Sequence, residues 1–213
     1  MFCWRMKISK HIHSCLLVEE QGKAVLIDPG SYTLQETALN IEDLKQLDAV
    51  LITHEHADHV SLELLRRIME KFPDIAILTN KQVAAKLARE HIEVFKKEEP
   101  SFIKKQNAPH EKILGAIPEN TLFHVFGKLT HPGDSFQFAK TKEILALPIQ
   151  APWGSMVQAV EKAVEIKPKL VIPIHDWHLR DEARKHFYDA AENYLRNRGI
   201  EFRGLEVGET LEC

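Results

Sequence analysis

The densest group of chemically active side chains is the hexapeptide HEHADH at residues 54–59. It follows a short apolar run, residues 50–52, that is typical of a buried strand, and it precedes a segment with helical periodicity. At the end of an extended strand, residues two positions apart point the same way, so His54 and His56 can converge on one cation. On a helix the same spacing would separate the two directions by about 200°. Asp58 and His59 follow where the chain bends toward the helix, and imidazole nitrogens with a carboxylate oxygen suit zinc, manganese or iron.

A structural explanation competes with this interpretation. Asp58 could cap the following helix, and the histidines could belong to a solvated loop. The concentration of ligand-type residues in six consecutive positions at a strand end favours the metal site.

Other ligand-type residues lie in four further segments. Asp28 follows Leu26 and Ile27 in LIDPG at 26–30, and His110 ends APH at 108–110. Asp134 ends LTHPGD at 129–134, and His175 ends VIPIH at 171–175. HEHADH matches the H-x-H-x-D-H signature of the metallo-β-lactamase-fold metallohydrolases, and these four segments resemble the later landmarks of that family in the same order.

The resemblance implies an α/β fold, a four-layer αββα sandwich, in a single domain over 1–213. Strand-rich halves that are each followed by helices agree with sheets covered by helices. The resemblance also implies two divalent metal ions, with zinc expected first and manganese or iron as alternatives. The implied ligands are His54, His56 and His110 for the first ion, Asp58, His59 and His175 for the second, and Asp134 as the bridge. His124 competes with His110 for the third histidine position.

The same resemblance implies hydrolysis of a small ester, lactone or phosphoester. Two cations about 3.5–4 Å apart can share a water molecule and lower its pKa toward neutrality. Asp58 is expected to orient that nucleophile and accept its proton. Asp28 is expected behind the ligands, where it accepts a ring N–H of a ligating histidine. His131 is a candidate proton donor to the leaving group.

The branch of the family and the alternatives remain open. Val60-Ser61-Leu62 follows the signature, where glyoxalase II and the zinc β-lactamases have a glycine pair, and this continuation resembles the L-ascorbate-6-phosphate lactonase branch. Residues 13–17 (HSCLL) and 151–156 (APWGSM) are also similar to that branch. An iron-dependent, dioxygenase-like oxidoreductase on the same ligands and a non-catalytic binding protein are the other hypotheses.

Composition and charge restrict the classes of partner that this protein is expected to bind. The 213 residues carry a net charge of −3, which argues against the basic face of a nucleic-acid protein. No apolar run is long enough to span a bilayer, and residues 1–7 lack the apolar segment of a secretory signal. Three scattered cysteines (Cys3, Cys15 and Cys213) suit a reducing compartment. We therefore expect a cytoplasmic protein with a small-molecule substrate and no nucleic-acid or membrane partner; the oligomeric state is undetermined.

Periodicity and turn residues predict the elements. Strands are expected at 15–19 and 24–27, joined as a hairpin with Gly22 in the turn, and at 48–53, 75–78, 144–149 and 170–174, with one or two more between 202 and 211. A second hairpin is expected across 122–138 around Gly127. Helices are expected at 34–47, 61–72, 81–89, 156–166 and 180–198, and the fourth of these should bury Val157. The lysine pairs at 96–97 and 104–105 are interpreted as solvated.

Overall fold

The computed structural model describes residues 5–94 and 99–213, so Cys3 and the lysine pair at 96–97 lie outside the described residues. By its internal contacts the chain divides into two compact units. Unit 1 is Met1–Pro100 with Glu206–Cys213, and unit 2 is Ser101–Leu205. Each unit has its own sheet and its own apolar core. The expectation of a single domain stays a prediction.

The strands and helices alternate along the chain. In chain order they are β1 (Lys7–Ile12), β2 (Cys15–Glu20), β3 (Lys23–Ile27), α1 (Ser31–Gln35), a 3₁₀ turn (Ile41–Asp43), β4 (Ala49–Leu51), α2 (Leu62–Lys71), β5 (Ala76–Leu78), α3 (Lys81–Arg89), β6 (Ile103–Asn107), β7 (Thr121–Val125), β8 (Leu129–His131), β9 (Ile144–Pro148), α4 (Met156–Ile166), β10 (Leu170–Ile174), α5 (Asp181–Arg196), β11 (Glu201–Phe202) and β12 (Thr210–Glu212).

The sheet of unit 1 has the strand order β12-β1-β2-β3-β4-β5. The first three pairings are antiparallel, and β3, β4 and β5 are parallel neighbours. Consequently β1, β3, β4 and β5 all run in the same direction. The hairpin predicted between β2 and β3 is confirmed, and it turns on Gln21 and Gly22, which have φ of 51° and 71°. Positive φ at both turn positions matches the twist of the flanking strands.

The sheet of unit 2 has the order β11-β10-β9-β8-β7-β6. Here β8, β9, β10 and β11 are parallel neighbours, whereas β6, β7 and β8 pair in antiparallel fashion. Strands β6, β8, β9 and β10 therefore share one direction. The predicted second hairpin ends earlier than expected, since β8 stops at His131 before Pro132 and Gly133. Lys104 and Lys105 are exposed on the edge strand β6, where charge discourages pairing with other chains.

Local sequence explains where the main helices begin. Ser61 caps the start of helix α2, and its side chain accepts the Leu64 N–H at 3.3 Å. Helix α4 starts with a capping box, in which Ser155 and Gln158 each bond to the other's backbone N–H. Both helices bury one apolar stripe against the sheet of their own unit. No helix within residues 5–94 and 99–213 has the length and apolar character that a membrane crossing requires.

Two expectations about helices are wrong. Residues 34–47 do not form one helix, because α1 ends at Gln35 and Thr37 adopts a left-handed φ of 48°. The leucines at 39, 44 and 47 are nevertheless buried, so an irregular segment delivers them to the core. In α4, Val157 is 58% exposed and the buried stripe runs instead through Ala159, Val160 and Ala163.

Candidate metal centre

In unit 1 the candidate residues follow the carboxyl ends of strands that run in one direction. Asp28 follows β3, and the HEHADH segment follows β4. His13 follows β1, which is parallel to β3 because both pair antiparallel to β2. The carboxyl ends of such strands meet at the same edge of the sheet, which is where open α/β sheets bind ligands.

A buried hydrogen-bond network around Asp28 fixes the orientation of His59. Asp28 accepts the Thr53 N–H at 2.8 Å and the Thr53 hydroxyl at 2.7 Å. Its Oδ2 also lies 2.8 Å from Nδ1 of His59, and all three side chains are fully buried. Because a carboxylate only accepts, Nδ1 of His59 carries the proton and Nε2 carries the lone pair. The role of Asp28 behind a metal ligand stays a prediction.

The same network determines the protonation of His54. The Thr53 hydroxyl donates to Asp28, so its oxygen accepts from Nδ1 of His54 at 3.0 Å. Nε2 of His54 therefore has its lone pair available, and it lies 3.0 Å from Nδ1 of His56. Two ring nitrogens at this separation can bind one cation, as the spacing of the motif predicts.

The carboxylate of Asp58 faces two histidines of unit 1. Its Oδ2 lies 3.6 Å from Nε2 of His59 and 3.1 Å from Nε2 of His13. One ligand atom from each of these three residues lies within 4.8 Å of the other two. His13 was missing from the ligands expected from the sequence. The signal that could have found it is its position after a strand parallel to the one that carries Asp28.

A glycine allows the loop after β3 to approach the metal-binding segment. A Cβ on Gly30 would lie 1.8 Å from the carbonyl oxygen of Asp58, so no other residue fits without backbone movement. On either side of this contact, Ser31 donates its N–H to Ala57 O at 2.7 Å, and Ser61 donates its N–H to Pro29 O at 2.9 Å. These contacts hold Asp58 in place.

In unit 2, Asp134 is the centre of a second group. Its Oδ2 lies 3.4 Å from Nε2 of His110 and 3.3 Å from Nε2 of His175. The opposite ring nitrogen of each histidine lies against a backbone acceptor. His110 Nδ1 is 2.7 Å from the carbonyl oxygen of Glu111, and His175 Nδ1 is 2.8 Å from that of Gln150. Both histidines therefore carry the proton on Nδ1 and direct a lone pair at the same carboxylate oxygen.

Two further residues hold Asp134. Trp153 donates its indole N–H to Oδ2 of Asp134 at 3.2 Å. Asn120 is buried; it donates to the carbonyls of Ala108 and Pro132 and accepts the Asp134 N–H. One amide thus ties the segment before His110 to the turn that carries Asp134. Sequence reasoning missed Asn120, which no motif marks.

The other histidines singled out in unit 2 have different surroundings. His124, the competitor of His110, bonds through Nδ1 to the Thr130 hydroxyl at 2.9 Å. His131 is fully buried, and its Nδ1 accepts the Gly133 N–H at 3.3 Å. His131 therefore supports the turn before Asp134, and its role as a proton donor stays a prediction.

The donor atoms within each unit fit a metal ion. Nε2 of His59 faces Asp58, and Nε2 of His110 and of His175 faces Asp134, at 3.3–3.6 Å. In each pair a ring nitrogen with a lone pair faces a carboxylate oxygen, an arrangement that a metal cation between the two atoms would stabilise. Donors 2.0–2.1 Å from a tetrahedral zinc ion lie about 3.3–3.4 Å apart, close to the observed separations.

Comparison with known proteins identifies the family. The family model of the β-lactamase superfamily domain matches residues 7–175. The chain belongs to the β-lactamase superfamily. Among curated proteins, Rv0786c of Mycobacterium tuberculosis is 30% identical over 195 residues, covering 86% of this chain and 90% of that protein. A UPF0173 metal-dependent hydrolase of Geobacillus thermodenitrificans is 29% identical over 198 residues, covering 80% of this chain and 85% of its own length.

Comparison with solved structures confirms the superfamily fold. The metallo-β-lactamase fold protein YhfI from Bacillus subtilis aligns with a TM-score of 0.68 at 16% identity, over 98% of this chain and all of that one (100%). The α/β fold expected from the sequence is therefore confirmed, and so is the resemblance to this superfamily. The family match ends at His175, so it includes the segments of all the ligand-type residues that carried the resemblance.

Proposed function

We propose that this β-lactamase-superfamily chain is a metal-dependent hydrolase that holds two divalent ions. The proposed ligands are those expected from the sequence: His54, His56, His110, Asp58, His59, His175 and the bridging Asp134. One observation within each unit carries the proposal. Buried imidazoles, each with Nδ1 held by an acceptor, direct Nε2 at a carboxylate oxygen. The names of the curated relatives support the same class of activity.

Asp134 has the surroundings that a bridging ligand needs. Its Oδ2 lies at nearly equal distances from His110 and His175, which the proposal assigns to different ions. The indole N–H of Trp153 reaches the same oxygen and limits the rotation of the carboxylate. The family branch implied by Val60-Ser61-Leu62 is part of the proposal, and the proposed substrate is a small ester, lactone or phosphoester.

When bound, the ions would supply an activated water and polarise the oxygen of the scissile group. Side chains of the protein would orient the nucleophile and transfer the protons. Asp58 is partly exposed, unlike His13 and His59, so its carboxylate can meet both a nucleophile and solvent. We assign it the orientation of the nucleophile and acceptance of the proton. His131 is assigned either proton donation to the leaving group or support of Asp134.

The proposal also covers the identity of the metal, the class of substrate, the cellular location and the partners. Zinc is proposed first, with manganese and iron as alternatives, because imidazole and carboxylate ligands accept all three. A small-molecule substrate, a cytoplasmic location and the absence of nucleic-acid or membrane partners complete it.

Elemental analysis joined to reconstitution tests the proposal. Purified protein is stripped of metal, reloaded with Zn²⁺, Mn²⁺ or Fe²⁺, and assayed against lactones, phosphodiesters and carboxylic esters. We expect two ions per chain and hydrolysis that depends on them. His56→Ala and Asp134→Ala should lower the metal content, whereas His186→Ala, which removes an exposed histidine on α5, should not.

Full metal occupancy in His56→Ala and Asp134→Ala would refute the ligand assignment. One iron per chain, with oxygen consumption and no hydrolysis, would favour the oxidoreductase alternative instead. Inert protein with both ions bound would favour the non-catalytic binding protein.

A further inference from the structure

We propose that His13 is a metal ligand that binds the same ion as Asp58 and His59. The inference rests on the proposed function and adds one ligand to the set expected from the sequence. It is carried by the backbone conformation of His13, by its burial and by two distances at Asp58.

The backbone at His13 is unusual for the position. His13 and Ser14 form the two-residue turn between β1 and β2, and Ile12 pairs directly with Cys15. His13 has a φ of 55°, in the left-handed region where glycine and asparagine are favoured in such turns. A histidine tolerates this region less well than glycine, and such strained positions cluster at functional sites.

The turn places the imidazole inside the unit. His13 is 1% exposed, although tight turns between strands ordinarily lie at the surface. Its ring meets the ring of Tyr32 edge to face at 5.1 Å, and it lies 5.9 Å from the ring of His59.

The distances at Asp58 match ligands of one ion. Oδ2 of Asp58 lies 3.1 Å from Nε2 of His13 and 3.6 Å from Nε2 of His59. These values lie on either side of the separation of about 3.3–3.4 Å expected between two donors on a tetrahedral zinc ion. Within unit 1, His13, Asp58 and His59 therefore have the spacing of ligands to a single ion.

A simple hydrogen bond is the competing explanation for the contact at 3.1 Å. In that case Nε2 of His13 would donate to Asp58 and only position it. A glutamine at position 13 distinguishes metal binding from hydrogen bonding to Asp58. The Gln side chain can offer an amide N–H near the position of Nε2, but it is a poor ligand for zinc or cobalt. Asparagine tolerates the left-handed backbone, but it is too short to reach Asp58.

Metal binding by His13→Gln and His13→Asn distinguishes these roles. Metal-free protein is titrated with Co²⁺; the visible absorption of the bound ion is followed, and dissociation constants come from competition with a chelator. His11→Asn is the matched control, because His11 is on β1 and bonds through Nδ1 to the Ala38 carbonyl. Circular dichroism and thermal unfolding establish that each variant is folded.

We expect both His13 variants to bind one of the two ions more than about 100-fold more weakly. Loss of a residue that only hydrogen-bonds to a metal ligand already lowers metal affinity by about 10–100-fold, and loss of a ligand should cost more. The Co²⁺ spectrum of that ion should change, and the other ion and the His11→Asn control should be unaffected. Wild-type affinity in His13→Gln with a loss in His13→Asn would overturn the inference in favour of a positioning role. Unchanged affinity in both variants would overturn it as well. Failure of the wild-type protein to bind metal at all would instead refute the proposed function.

Discussion

Replacing Asp28 by asparagine tests how the chain prepares His59 for a metal ion. The substitution keeps the shape of the side chain and one of its oxygens. That oxygen can still accept the Thr53 N–H, while an amide N–H₂ replaces Oδ2, which lies 2.8 Å from His59 Nδ1. Two donors cannot face each other, so His59 must move its proton from Nδ1 to Nε2. The nitrogen that faces Asp58 then carries a proton instead of a lone pair.

The expected loss is one of affinity rather than of folding. Loss of a partner behind a metal ligand costs about 10–100-fold in metal affinity, which corresponds to about 1.4–2.7 kcal/mol. The Thr53 hydroxyl can rotate to accept from the new amide, so the network still pairs its donors and acceptors. We therefore expect the free energy of unfolding of the metal-free protein to fall by only about 1 kcal/mol.

Chelator competition for Zn²⁺ and urea unfolding of the metal-free protein separate the two quantities. Asp48→Asn is the control, because Asp48 also accepts a backbone N–H, that of Ala24 at 2.9 Å, at a strand end in unit 1. It should change stability without changing metal affinity. If Asp28→Asn bound metal as tightly as the wild type, the inferred proton position on His59 would be wrong.

Three further predictions concern other parts of the molecule. Trp153→Phe keeps an aromatic ring but removes the bond to Asp134, so metal affinity should fall by about tenfold, measured by the same competition. Gly30→Ala would bring a Cβ within 1.8 Å of Asp58 O, and thermal unfolding should show a loss of at least about 3 kcal/mol; a stability equal to the wild type would contradict this close contact. Burial and two nearby lysines lower the pKa of His124 to about 4, so the folded state disfavours its protonation, and stability should be lost as the pH falls from 6.5 toward 4. A His124→Asn variant should lose less stability over that range, and parallel curves for the two proteins would speak against the lowered pKa.

Local patterns predicted much of the fold. Helices 81–89 and 156–166 have the bounds expected, because apolar periodicity and a capping residue mark them in the sequence. The helix predicted at 34–47 was wrong, because its buried leucines reach the apolar core from an irregular segment. A left-handed residue at Thr37 interrupts the backbone there, and no glycine or proline marks the break.

The candidate site was predictable where a motif carries it. His54, His56, Asp58 and His59 lie within six residues of one another, Asp28 and His175 each follow an apolar run, and the family resemblance marks Asp134. His13 was missed because its relation to Asp28 depends on β1 being parallel to β3, which is a property of the sheet and not of any local segment. The contact of Trp153 with Asp134 was missed because the direction of an indole N–H in a loop has no sequence signature.

The pairing of β12 with β1 has a consequence for synthesis of the protein. Ile8 pairs with Leu211, and the hydroxyls of Ser9 and Thr210 lie 2.7 Å apart and 201 positions apart in the chain, so the partner of β1 is synthesised long after β1 itself. At about 5–20 residues per second, the ribosome needs about 10–40 s to cover that interval. Until then the outer backbone groups of β1 lack this partner, and the nascent chain should be most vulnerable to misassembly with its neighbours on a polysome.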